Sequence, residues 1–134
     1  MIRKVNYFAM QVPNHAGEAH TILAGLRKAG VNLLAFTGFP NGRGSQMDFV
    51  PASSAAFTRA AKAAGFKVGK AKTGFLIQGK DRTGALDTTL AKLARASINV
   101  TAVDGVAAGS GRFGAILWVK PQDVARASRT LKAH

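Results

Sequence analysis

The sequence predicts an α+β protein in which one small unit is used twice, each unit running strand, helix, strand, strand, helix, with a further closing strand in the first. Three observations predict it. Residues 8–33 and 75–100 are two versions of one segment, offset by 67 positions with nine identities in 26. Those identities are Phe8/Phe75, Gln11/Gln78, Gly17/Gly84, Thr21/Thr88, Leu23/Leu90, Ala24/Ala91, Leu26/Leu93, Ala29/Ala96 and Asn32/Asn99. Helical stripes alternate with short strand-like runs in both copies, and glycine-rich turns punctuate both.

In the first copy Val5 to Val12 alternates around Tyr7 and Phe8 and reads as a strand. Ala19, Ile22, Leu23, Leu26 and Ala29 then recur at helical spacing, and Gly30 is placed to end that helix, because glycine tolerates the left-handed conformation past a helix end. Val31–Phe36 and Gln46–Val50 form a strand pair around an Asn41-Gly42 turn. A second helix over residues 53–64 carries Phe57, Ala60, Ala61 and Ala64 on one face and stops at Gly65, and Phe66–Val68 is a short fourth strand. The second copy repeats this as strand 74–78, helix 84–96, strand 98–106, strand 113–119 and helix 121–131. Pro121 suits the first turn of that last helix, where no N–H is needed.

The last strand of the second unit is missing. In an antiparallel sheet with both helices on one face, that strand would lie beside the unit's first. Its loss exposes the edge of Gly74–Gln78, so another strand is expected there, from this chain or a partner. The units are expected over 1–70 and 71–134.

Composition sets the broad class. At 134 residues and 47% hydrophobic content the chain has a core to bury, yet half of it alone would be marginal. No apolar run approaches the roughly 18 residues of a membrane span, and no secretory signal is evident, so a cytoplasmic location is expected. With no cysteine there is no disulfide, thiolate metal site or cysteine nucleophile. Nineteen Lys and Arg against six carboxylates give a net charge of +13, which attracts anions such as nucleic acid, phosphorylated metabolites or acidic surfaces. The charges are spread along the chain, as on an ordinary solvated surface.

The polar-to-glycine corner before the first helix recurs as Asn14-His15-Ala16-Gly17 and Asp81-Arg82-Thr83-Gly84. A helix start presents unpaired N–H groups and the positive end of the helix dipole, and glycine there admits a close neighbour. Caps and turns use the same residue types, so the corner is open to a structural reading as well. This corner, with Leu90, Leu93 and Ala96-Ser97-Ile98-Asn99-Val100 and their counterparts Leu23, Leu26 and Ala29-Gly30-Val31-Asn32-Leu33, resembles the ACT domains, small regulatory modules that often bind amino acids.

The resemblance covers nearly the whole chain as two tandem units. It implies a ferredoxin-like fold for each, units pairing through their sheets, and an amino acid or related metabolite at a unit interface. It also implies a non-enzymatic regulatory role, a homodimer and a regulated enzyme partner, with no cofactor. Residue by residue, the implied ligand contacts are Asn14, Gly17 and Asn32 in one unit and Asp81, Gly84 and Asn99 in the other, with His15 and Arg82 beside the two corners. Ala16 and Thr83 stand where proline is common in the family.

Other motifs say less. Gly109-Ser110-Gly111-Arg112-Phe113-Gly114 spells a dinucleotide pattern but joins two strands, so it reads as a hairpin. Arg112-Phe113-Gly114 with Trp118 echoes the RNA-recognition module, which shares this element order; RNA or DNA binding is the alternative function. His15 and His20 have poor metal spacing and no third ligand, and no catalytic constellation emerges.

Overall fold

The computed structural model describes all 134 residues, and they form two ferredoxin-like α+β units in tandem. One unit is Asn6–Lys72, and the other combines Met1–Val5 with Thr73–His134. That differs from a division into 1–70 and 71–134 in where Met1–Val5 belong.

In the first unit the Asn6–Pro13 part of β1 (Ile2–Pro13) is followed by α1 (Glu18–Lys28), β2 (Leu33–Asn41), β3 (Gly44–Pro51) and α2 (Ser54–Ala64), with strand order β2-β3-β1. Both pairings are antiparallel; Phe8 faces Phe49, and Phe49 faces Phe36. Period-2 alternation therefore aims Phe8, Val12, Met47 and Phe49 at the helices, whose stripe supplies Ile22, Leu26, Phe57 and Ala61. At the centre the Phe57 ring lies 4.9 Å from Phe8 and 5.4 Å from Phe49, and all three rings are buried.

Phe66–Val68 is not a strand. Residues 66–71 run irregularly, tied to β1 by the Gly69 N–H donating to the Ala9 carbonyl at 2.9 Å. Phe66 and Val68 instead pack their side chains against the core, which serves burial without a ladder.

The second unit has β4 (Lys72–Lys80), α3 (Asp87–Arg95), β5 (Val100–Gly109), β6 (Arg112–Val119) and α4 (Val124–Leu131), the last preceded by a 3₁₀ turn at Pro121–Asp123. Its strands run β1-β4-β6-β5, with Met1–Val5 supplying the β1 portion. Met1 and Gln78 exchange both backbone bonds, at 2.7 and 3.0 Å, which marks an antiparallel pair. The expected open edge of Gly74–Gln78 is thus covered by the chain's own first residues. His134 bonds the opposite side of that segment, its N–H to Ile2 and its carbonyl to the Lys4 N–H. Phe75, Ile77, Leu93, Ile98, Leu117, Ala127 and Leu131 form the core, with Ile2 packed against it.

All four helices end in the same way. At α1 the Val31 N–H reaches the Leu26 carbonyl and the Gly30 N–H reaches Arg27; at α3 Ile98 reaches Leu93 and Ser97 reaches Ala94. These paired bonds need a left-handed residue at the turn, which is Gly30 (φ 75°) in one case and Ser97 (φ 56°) in the other.

Candidate functional site

β1 leads into the first corner. Gly17 takes φ 92° as the N-cap of α1, and a Cβ placed there would meet nothing within 4 Å. Its backbone angle, not close packing, calls for glycine. The Asn14 Oδ1 accepts from the Ser45 hydroxyl at 3.2 Å, fastening the corner to β3. His15 is exposed, with its Nδ1 4.0 Å from the Glu18 carboxylate. Thr21 closes the first turn, its N–H and hydroxyl both donating to the Gly17 carbonyl.

The second corner is built differently. The expected helix over 84–96 begins only at Asp87, three residues beyond Gly84, because residues 83–86 form turns. The turn lays Leu86 over Gly105 of β5, where an added Cβ would come within 2.9 Å of the leucine Cδ1. Gly84 still needs its left-handed φ of 69°. The Asp81 N–H donates to the Gly111 carbonyl at 2.8 Å and so joins this corner to the β5–β6 turn. Asp81 and Arg82 are exposed.

The two asparagines stand apart from the corners of their own units. Asn32 lies beyond the C-terminal end of α1, and Asn14 and Gly17 lie at its start; the 11 residues between span about 16 Å. Asn99 has the same relation to Asp81 and Gly84 across the nine residues of α3, about 13 Å. Both asparagines are exposed, and the Asn32 carbonyl accepts from the Ala52 N–H at 2.9 Å.

Asn32 instead lines a shallow depression of roughly 380 Å³ with Leu23, Leu26, Arg27, Gly30, Val31 and Leu33. Arg27 is a residue that sequence reasoning missed. Its signal was its place in the last turn of α1, within reach of whatever side chain follows the helix stop. An apolar floor flanked by a guanidinium and an amide is chemically suited to a small carboxylate.

A second missed group is a polar chain on the helix-free face of the first unit's sheet. The Gln11 amide donates to Gln46 Oε1 at 2.9 Å, Asn41 donates to the same oxygen at 3.0 Å, and the Gln46 amide donates to Asp48 at 3.0 Å. Asp48 is 7% exposed. Burial, helped by the Asp48 charge, raises the Tyr7 phenol above its usual pKa. The alternation of β3 was the available signal, since it puts Gln46 and Asp48 on the face opposite Met47 and Phe49.

The echo of an RNA-binding strand is not realised as a stacking platform. Trp118 is 5% exposed and Phe113 is partly buried against the second core, so the strand presents no pair of exposed rings. The Gly109–Gly114 run is a tight hairpin with Ser110 and Gly111 both at positive φ. No three His, Asp or Glu side chains gather at a common point, and no helix is long and apolar enough to cross a membrane.

No protein-family model matches the chain, and no curated protein does. Solved structures do. Protein BT0572 from Bacteroides thetaiotaomicron is similar at 18% identity and TM-score 0.80, over 98% of this chain and 88% of that one. The ligand-free regulatory subunit of aspartate kinase from Thermus thermophilus is similar at 14% identity and TM-score 0.62, over 98% and 92%. A third is the putative C-terminal regulatory domain of aspartate kinase from Porphyromonas gingivalis W83, at 11% identity and TM-score 0.56, over 98% and 94%. These likenesses, all at 18% identity or less, establish a shared fold.

Proposed function

We propose that this protein is a non-catalytic regulatory module that binds an amino acid or closely related metabolite. The observation that carries the reading is the depression at the end of α1, where Arg27, Asn32 and a leucine floor converge in an ACT-type fold. The guanidinium suits the ligand carboxylate, the amide its polar remainder, and Leu23 and Leu26 an aliphatic part. Asn14, His15 and Gly17 in one corner, and Asp81, Arg82 and Gly84 in the other, are proposed as further contacts; so is Asn99. Because each asparagine is a helix length from the corner of its own unit, Asn32 would reach a corner-bound ligand only at the corner of another unit. Homodimerisation and an enzyme partner that receives the signal belong to the same proposal. Ligand would shift that assembly only by binding one arrangement more tightly.

A thermal-shift screen of the amino acids tests it. A ligand held at one hundred times its Kd should stabilise the fold by about 2.7 kcal/mol. The shift should vanish in Arg27→Gln and shrink in Asn32→Ala. If no amino acid shifts the melting temperature, the reading fails.

A further inference from the structure

The second corner gathers positive charge in a way that works against its own sheet. Lys80 and Arg112 are direct cross-strand partners at the turn end of the β4–β6 pair, and Arg82 follows two residues after Lys80. The Asp81–Gly111 backbone bond of 2.8 Å ties the Arg82 loop to the hairpin from which Arg112 starts. Like charges directly opposite on neighbouring strands repel at a Cβ separation of about 5 Å. Asp81, the one carboxylate between Lys80 and Arg82 in sequence, forms no ion pair within 4.0 Å with any of the three; the ion pairs of the chain are His15–Glu18 and Asp123–Arg126.

The equivalent corner of the first unit has no such conflict. Pro13 faces Gly44 there, and Asn14 is satisfied by Ser45. The first corner thus has no cationic cross-strand pair and is internally bonded, while the other holds Lys80, Arg82 and Arg112 exposed against the single carboxylate of Asp81.

We infer that the Lys80–Arg82–Arg112 corner binds a small multivalent oxyanion of the phosphate type. Such an anion sits between the cross-strand pair and turns repulsion into two charge-assisted contacts, with the Arg82 guanidinium offering a third. The site is distinct from the Arg27 and Asn32 depression and stands whether or not the amino-acid reading holds.

The test follows melting temperature at constant ionic strength with pyrophosphate as the probe. Without pyrophosphate, Arg112→Gln should melt about 1–3 °C above wild type, because the repulsion is gone. In excess pyrophosphate, wild type should rise and Arg112→Gln should not, so the order of the two reverses; Lys80→Gln should behave in the same way. A control pair, Arg59→Gln with Lys62→Gln on the exposed side of α2, should keep the wild-type rise. Absence of a reversal, or loss of the rise in the control as well, overturns the site.

Discussion

The two units share a plan and differ in how they complete it. The first closes its core with phenylalanine rings, caps its helix ends with Gly30 and Gly65, and leaves residues 66–71 irregular. The second packs mainly aliphatic side chains around a single fully buried ring, Phe75, turns its helix ends on Ser97 and Lys132 at positive φ, and takes its outermost strand segment from the chain's first residues. Repetition preserved the helix stripes and the polar-to-glycine corners, while edges, caps and corner charge diverged. What recurs is what burial and backbone geometry require locally.

Deleting Met1–Val5 should have the largest effect. It removes the Met1–Gln78 pair, both His134 bonds and the Ile2 packing, so hydrogen exchange should lose protection across residues 74–78 while residues 8–13 keep theirs. Equal loss in both strands would show that the units do not open separately.

Core truncation comes next and compares the two packing styles. Phe57→Ala should cost about 3–5 kcal/mol in urea unfolding, and Leu131→Ala about 2–5 kcal/mol. The phenylalanine should cost more, because it loses contacts to two rings as well as its own burial.

Exchanging the helix-end residues gives a smaller effect with opposite signs. Ser97→Gly should stabilise by about 1 kcal/mol, since a side chain in the left-handed region carries a cost that glycine avoids. Gly30→Ser should destabilise by about as much; its Cβ would meet nothing within 4 Å, leaving backbone strain as the whole effect. Denaturation midpoints of the two variants test the symmetry.

The smallest effect concerns alkaline pH. With its pKa raised in the fold, Tyr7 holds its proton more tightly folded than unfolded, so its contribution is complete below about pH 10 and declines as pH rises through the folded value. Tyr7→Phe should flatten that decline. An unchanged alkaline limb would place the titrating group elsewhere.

Much of the fold was legible because its signals are local. Leu23, Leu26, Leu90 and Leu93 gave the stripes of α1 and α3, Asn41-Gly42 gave the first hairpin, and Gly30 gave a helix stop. The second corner was misread at Gly84, where the packing of Leu86 on Gly105 postpones the helix. Phe66–Val68 looked like a strand because apolar alternation reports burial and not hydrogen bonding. At the candidate site, the family resemblance grouped Asn32 with Asn14 and Asn99 with Asp81, and the structure sets a helix between the members of each pair. Gln46 escaped notice because its partners Gln11 and Asn41 lie on other strands, and Arg27 because an exposed cation in a last helical turn reads as an ordinary surface residue.

By itself the sequence determined the duplicated α+β units, the helix faces, the hairpin turns and the need for something to cover Gly74–Gln78. These follow from periodicity, from backbone angles that only some residues tolerate, and from the cost of an unpaired edge. Tertiary structure alone decided that Met1–Val5 cover that edge, that Lys80 stands opposite Arg112, and that Phe57 of α2 meets Phe8 and Phe49. Strand register and helix docking bring these residues together, and both are set by burial summed over a whole unit.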